Sequence, residues 1–223
     1  MKAPKIFKDR QHAGKQLAQA LADAAPNQGD AIVMALPRGG VPVGYAIAHA
    51  LALPLDLLLV RKLGLPGHEE FAMGAVGAGG VHWLNDEVVR AFHITRAVID
   101  QACAREWQVI ASREHQYRMG RLQPLLSGRN IILVDDGMAT GSTMRAAIAV
   151  ARAKGAAHLT VAVPVGAPDT CRAIRREVDR LICLASPPAF RAVSEWYRHF
   201  EQTDDAQVRQ LLALAWKNDA QHA

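Results

Sequence analysis

An α/β fold, with a parallel twisted sheet flanked by helices, is what this sequence predicts, and three observations carry it. Short apolar, β-branched runs alternate with helix-length amphipathic segments along the whole chain, the pattern of strand–helix–strand units. At the ends of the best strand candidates the apolar run gives way abruptly to glycines and charges: Arg38-Gly39-Gly40, Arg61-Lys62 and Asp135-Asp136-Gly137. Half of the 223 residues are hydrophobic, which suits one large core with a small accessory lobe.

The elements follow in order. Asp9 is placed to cap a helix running to about Ala24, with Ala13, Leu17, Ala20, Leu21 and Ala24 on the buried face. Asp30 to Leu36 reads as a short strand. Pro42 to Leu51 reads as a helix with proline in its first turn, where the missing N–H does no harm. Leu55 to Val60 reads as a strand in which Asp56 is an exception near the start. Residues 72–84 read as a hairpin around Gly77-Ala78-Gly79-Gly80, and Thr95 to about Arg118 as a long polar helix. The rest alternates: a strand from Ile131, a helix from Thr143, a strand at Leu159–Val163, a helix from Pro168 and a strand at Leu181–Leu184. An aromatic cluster and a last helix, about Asp205 to Trp216, close the chain. There is no internal repeat and no low-complexity linker.

The most informative segment is IILVDDGMATGSTM, residues 131–144. A β-branched run ends in two adjacent carboxylates, then turns through small hydroxylated residues into an Ala-rich helix. Loop N–H groups and a helix N-terminus take a phosphate. Ionised carboxylates only accept hydrogen bonds, so they suit hydroxyl donors. Together these describe a site for a phosphorylated sugar. A Walker loop would need Lys after its last glycine, and Ser142 follows Gly141. A receiver-type acid pair would lack the Thr-Gly-Ser-Thr that follows here. A purely structural turn is disfavoured, because two acids directly after a buried strand are costly without partners.

VDDGMATGSTM resembles the PRPP-binding motif of the type I phosphoribosyltransferases: apolar residues, two acids, a short Thr-Gly loop, then Ser or Thr. The resemblance implies that Asp135 and Asp136 hold the ribose hydroxyls of phosphoribosyl pyrophosphate (PRPP). It assigns the 5′-phosphate to Ala139, Thr140, Gly141, Ser142 and Thr143. It extends over nearly the full length to a group of bacterial phosphoribosyltransferases sharing DR-x-x-AG, PRGGVPVG, VRKLG and WY-x-x-F segments. In that light ALPRGGVPVG, residues 35–44, matches the family's pyrophosphate loop, with Arg38, Gly39 and Gly40 at its tip. Such loops often contain a cis non-proline peptide, a conformation costing about 3–4 kcal/mol; sequence does not say which bond. Gly39 and Gly40 are read as permitting positive φ and close backbone approach.

Arg61 and Lys62 are expected to leave the end of an apolar strand together, as in the adenine and orotate enzymes. Lys62 is the preferred neutraliser of the departing pyrophosphate, because a flexible ammonium follows a moving anion. Leu63–Glu70 would form a lid that excludes water, within a lid and hairpin region at 61–84. The Gly77–Gly80 run has no strand-to-helix context and is a turn, not a nucleotide fingerprint. Residues 185–223 would supply a small hood and the C-terminal helix, with Trp196 or Tyr197 either stacking on the acceptor or anchoring the tail. Arg10 is within reach of that hood but reads first as a surface residue near a cap. One domain, 1–223, accounts for all of this.

The implied activity is a Mg²⁺-dependent transfer of phosphoribose from PRPP to a nitrogen heterocycle, as in purine salvage. Mg²⁺ would be held mainly by substrate oxygens and water, with Asp135 and Asp136 either binding it directly or holding its waters. Catalysis would rest on Asp135, Asp136, Lys62 and Arg38 through orientation and charge stabilisation. Ala139 stands where hypoxanthine-type loops carry an Asp, so the loop lacks a base; Glu69 and Glu70 are the remaining candidates. The alternative is a PRPP-sensing regulator that binds nucleic acid or a protein without turnover. A PRPP synthetase-like kinase is a weaker third reading, since no nucleotide-binding flap is visible. The net charge of +5 is met by anionic ligands. Scattered arginines with few interleaved aromatics argue against nucleic acid. Cys103, Cys171 and Cys183 are far apart and lack C-x-x-C spacing, as expected of reduced core cysteines in the cytoplasm. No apolar run is long enough for a bilayer, and the N-terminus lacks a signal-peptide core. A homodimer is a family expectation.

Overall fold

The structure, a computed structural model, describes the backbone of residues 6–24, 30–65 and 68–222, and their side chains except at 68–71 and 218–222. Five parallel strands form the main sheet: β1 (Ala31–Ala35), β2 (Leu55–Leu57), β6 (Asn130–Val134), β7 (His158–Val165) and β8 (Arg180–Ala185), in the order β2-β1-β6-β7-β8. Three antiparallel strands form a second sheet: β3 (Val60–Leu65), β4 (His68–Gly77) and β5 (Val81–Leu84). The helices are α1 (Arg10–Ala24), α2 (Gly40–Leu51), α3 (Asp86–Ala91), α4 (Arg96–Arg118), α5 (Ser142–Ala153), α6 (Pro168–Ile174) and α7 (Asp205–His222).

Strand side chains alternate between two apolar clusters, as a period of two requires when both faces are covered. Ala31, Val33 and Ala35 of β1 and Ile132 and Val134 of β6 pack with α1, α2 and α7. Ile32, Met34, Ile131 and Leu133 point the other way, into α5 and α6. Direction reverses between β1 and β6: the chain runs outward one way to β2 and the other way to β7 and β8. Ligands in open α/β sheets bind at the carboxyl ends of strands beside such a switch point, and both motifs of interest emerge there.

Most expected elements form. Asp9 Oδ1 accepts from the His12 N–H at 2.8 Å, capping α1; Ala13, Leu17 and Leu21 are buried, while Ala20 is half-buried and Ala24 exposed. The glycine turn at 78–80 joins β4 to β5, with Gly79 and Gly80 at φ 80° and 75°. The strand expected over Leu55 to Val60 breaks. Its sheet pairing ends at Leu57, Leu58 and Leu59 are buried at the bend, and Val60 begins β3 in the other sheet. A continuous apolar run hides a change of sheet because both segments are buried. Asp56 is no strand-start exception either. Its carboxylate takes Arg118 Nη1 at 2.5 Å and the Leu57 N–H at 2.6 Å, with both ionic side chains about 5% exposed or less. Helix α3, capped by Asn85, was not expected.

Candidate functional site

Strands β1 and β6 are hydrogen-bonded neighbours in register Ala35↔Val134, so the loops following them leave the sheet side by side. The Leu36 N–H extends the ladder to Val134 O at 2.9 Å. The Pro37–Arg38 peptide is cis, the one non-proline cis bond among the described residues. Gly40 then opens α2, its N–H donating back to Leu36 O at 3.0 Å. Neither Gly39 nor Gly40 has positive φ, which corrects that part of the expectation. What the two positions need is the absence of a side chain. A Cβ on Gly39 would lie 2.0 Å from Asp136 Oδ2, and one on Gly40 would lie 2.6 Å from Val134 O. The two glycines therefore let the 35–44 loop rest directly on the acidic pair.

Asp135 and Asp136 are both partly buried. Asp135 Oδ1 accepts the Asp136 N–H at 2.8 Å. Burial, reinforced by the Asp136 charge, pushes the Asp135 carboxyl well above the usual carboxylate range. Burial also raises Asp136, against the pull of Arg10. Arg10, read from the sequence first as a surface residue near a cap, takes the other role and reaches the hood and Asp136. Its Nε and Nη2 reach Asp136 Oδ2 at 2.9 and 2.8 Å, with the two side chains only 11% and 16% exposed. Its Nη1 donates to Glu201 O at 2.6 Å, and the guanidinium stacks 3.9 Å from the Phe200 ring centroid. The available signal was its position one residue after a capping Asp, at the first turn of α1.

The hood is folded onto this pair. The Tyr197 hydroxyl donates to Asp136 O at 2.6 Å, and burial raises the phenol above its ordinary range. Phe7 bridges to Tyr197 in parallel register, and Val193 occupies the space a Cβ on Gly137 would need. Trp196 and Tyr197 are 4% and 1% exposed, so neither is an open platform for an acceptor; they anchor the tail.

The phosphate-type loop is the open part of the site. Ala139, Thr140 and Thr143 are exposed, Ser142 half-buried, and Gly141 sits at φ 72° just before α5. Thr140 and Ser142 hydroxyls meet at 2.6 Å. From behind, the Thr170 hydroxyl of α6 donates to Ala139 O at 2.6 Å. The Met138 and Ala167 N–H groups bond Val165 O and Met138 O at 2.8 and 2.9 Å.

The cations separate. Arg61 and Lys62 lie inside β3, not at the end of the main-sheet strand, and neighbours in a strand face opposite ways. Arg61 lines a shallow cleft with Leu36, Pro37, Val60, Arg113 and Thr143, whereas Lys62 is not among the cleft's lining residues. Arg61 also pairs with Glu106 at 2.7 Å. Arg113 on α4 was unforeseen in the sequence. Arg38 is half-exposed and its Nη1 lies 3.8 Å from Asp205 Oδ1 at the start of α7. Pro66 and Gly67 of the expected lid lie outside the described residues, as do the side chains of Glu69 and Glu70.

Part of the acid pair is already engaged within the chain. Arg10 already holds one Asp136 oxygen, and no cluster of three His, Cys, Asp or Glu residues among those described is placed to hold an ion. Two buried carboxylates facing one guanidinium leave roughly one negative charge uncompensated. That favours hydroxyl donors, a cation brought in by a ligand, or a proton.

A sheet switch point carrying this pair of abutting loops is the setting in which phosphoribosyl transferases are built, and a family model described as the phosphoribosyl transferase domain matches residues 5–197. The chain belongs to that family. It is 44% identical over 217 residues to a Mycobacterium tuberculosis protein named "Putative phosphoribosyl transferase", in strains H37Rv and CDC 1551 alike. The match takes in 97% of this chain and 48% of the relative, so the chain spans about half the length of the curated relatives it matches. Among solved structures, TT1426 from Thermus thermophilus superposes with a TM-score of 0.86 at 38% identity, covering 92% of this chain and 97% of that one. No described helix is long and apolar enough to cross a membrane.

Proposed function

We propose that this chain transfers the 5-phosphoribosyl group from PRPP to a nitrogen heterocycle, a nucleobase or similar ring, and releases pyrophosphate. The contact of Gly39 with the Asp136 carboxylate carries the reading, because it joins the two loops into one continuous surface. Asp135 and the free edge of Asp136 would accept the ribose hydroxyls. Thr140, Ser142, Thr143 and the N–H groups opening α5 would hold the 5′-phosphate. The backbone at 37–40 would lie along the pyrophosphate, with Arg61 and Arg113 across the cleft as its counter-charges. This reading replaces Lys62 by Arg61 as the cation nearest the leaving group.

In the reaction the C1–O bond to pyrophosphate breaks, positive charge develops at C1 and the ring oxygen, and a ring nitrogen of the acceptor attacks C1. Fixed dipoles and cations at the leaving oxygen contribute most in such a site. Mg²⁺ would enter with the substrate, bound mainly to its diphosphate oxygens, with Asp135 and Asp136 beside it.

One observation favours a second reading, a PRPP-binding regulator. Trp196 and Tyr197 are buried and Arg10 already occupies Asp136, so the hood offers neither ring as an exposed platform for a base. The two readings separate in one experiment. Radiolabelled PRPP with Mg²⁺ is incubated with a broad panel of purines, pyrimidines and related heterocycles, and pyrophosphate release is measured beside PRPP affinity. Release with one acceptor supports the transferase. Tight PRPP binding with no release across the panel supports the regulator, and absence of PRPP binding overturns both.

A further inference from the structure

Cys171 and Cys183 are twelve residues apart in sequence and meet in space, contrary to the expectation that the cysteines stand apart. Cys171, in α6, places its Sγ 3.6 Å from that of Cys183 in β8. They meet over Gly166, where a Cβ would lie 2.5 Å from Cys171 Sγ and 3.5 Å from Cys183 Sγ. Cys171 is 4% exposed and Cys183 is half-buried, so a small oxidant has a way in along the Cys183 side. Cys103 is buried elsewhere, among α4 and its neighbours.

We propose that Cys171 and Cys183 form a reversible disulfide site, oxidised by hydrogen peroxide, whose closure loosens the 138–143 loop. A disulfide brings its sulfurs to about 2.05 Å, so the two must approach by about 1.5 Å from 3.6 Å. The neighbour of Cys171 is Thr170, whose hydroxyl holds Ala139 O at 2.6 Å. Thr170 Cγ2 also lies where a Cβ on Gly141 would fall, at 2.6 Å. Moving the first turn of α6 toward β8 therefore draws away the hydroxyl that hydrogen-bonds the loop from behind. This last step rests on the proposed role of that loop in holding phosphate; the thiol chemistry does not.

The chemistry balances. The Cys171 thiolate attacks one peroxide oxygen, the O–O bond breaks, and sulfenic acid and hydroxide form. The Cys183 thiol attacks the sulfenic sulfur, an S–S bond forms, and the sulfenic oxygen leaves as water. In sum two thiols and one H₂O₂ give a disulfide and two waters. The Cys183 S–H donates to Ala185 O at 3.1 Å while both groups are neutral, and can turn to a Cys171 thiolate. That hydrogen bond brings the Cys171 thiol down to about 7, within reach of neutral pH.

The test uses the full chain, reduced and then titrated with hydrogen peroxide. The expected result is a loss of two mass units, a tryptic cross-link joining the Cys171 and Cys183 peptides, and reversal by dithiothreitol. Hydrogen–deuterium exchange at 138–143 should quicken on oxidation, and PRPP affinity should fall roughly two- to tenfold, the worth of one hydrogen bond. Cys183→Ser and Cys171→Ala, each checked by thermal melting, should show neither link nor change in exchange. Sulfinic acid without a link, or no reaction, overturns the site. A link with unchanged exchange overturns its coupling to the loop. Should the reduced protein fail to bind PRPP at all, the proposed function falls, while mass and exchange still decide this proposal.

Discussion

Arg10→Ala is the perturbation that best separates a structural salt bridge from a surface ornament. The substitution removes two charge-assisted contacts to Asp136, the hydrogen bond to Glu201 O and the stack on Phe200. It leaves Asp136 without its cation in a site where its side chain is 16% exposed. Truncating one partner of a buried pair costs about 3–5 kcal/mol, because the remaining charge is stranded. Partial exposure puts this pair at the lower end, about 3 kcal/mol, or roughly 6–12 °C in the melting midpoint of a domain this size. The pH dependence has a definite sign. Without Arg10 the folded carboxyl of Asp136 stands further above its unfolded value of 3.8. The native state then binds more protons than the unfolded one, so stability falls as pH rises from 3.8 through the folded pKa. The deficit is therefore largest at neutral pH and shrinks in acid. Urea titrations of wild type, Arg10→Ala, Asp136→Asn and the double variant form the cycle. In the double variant most of the loss should return, because no stranded charge remains. A loss below about 1 kcal/mol, as for an exposed pair, or single-variant effects that simply add, would refute this account.

Asp135→Asn should raise the melting midpoint at pH 7 while removing PRPP binding. Its raised folded pKa makes the ionised carboxylate a net cost above the unfolded value of 3.8, and Asn keeps the acceptor for the Asp136 N–H; an unchanged or lower midpoint would contradict this. Gly39→Ala keeps an ordinary helical backbone at φ −62° but drives a methyl to 2.0 Å from Asp136 Oδ2. It should destabilise by about 1–3 kcal/mol and weaken PRPP binding, and a variant titrating like wild type would sink the close-approach argument. Arg61→Ala should cost about 1 kcal/mol of stability or less, since its own side chain is 42% exposed in the pair with Glu106. It should slow turnover roughly ten- to hundredfold, the worth of a charge-assisted hydrogen bond. Lys62→Ala should slow turnover less, and steady-state rates showing the opposite order would return the leaving-group role to Lys62.

The fold was legible where local pattern and tertiary environment agree. The strand at β6, the cap at Asp9 and the glycine turn at 78–80 are all local signals, each within a few residues of the structure it specifies. It was illegible where burial erased the pattern. Leu57 to Val60 has no polar residue to mark the corner at Leu58–Leu59, so one run of leucines serves two sheets. Asp56 is the complementary case: a lone acid in an apolar run is explained only by Arg118, sixty-two residues on.

The candidate site divides along the same line. Its backbone features, a loop of small residues before α5 and glycines before α2, are local and could be read directly. Its side-chain electrostatics are not, because they depend on which distant charges fold inward. Residues 10 and 136 come together only because α1 starts beneath the 196–201 segment, which Phe7 pins by the Arg198 N–H to Phe7 O bond at 2.8 Å. The acidic pair therefore cannot be treated as two free carboxylates awaiting a sugar. Asp136 is oriented by Arg10 and wedged by Gly39, whereas Asp135 is raised further by burial and, among the described residues, is paired with no cation. That asymmetry assigns the fixed geometry to Asp136 and the change in charge on ligand binding to Asp135. A hydroxyl donor or a ligand-borne cation arriving at Asp135 should release the proton that burial favours there. PRPP binding should then be accompanied by proton release in wild type, measured as a binding enthalpy that varies with the ionisation enthalpy of the buffer, and an enthalpy independent of buffer would refute the assignment.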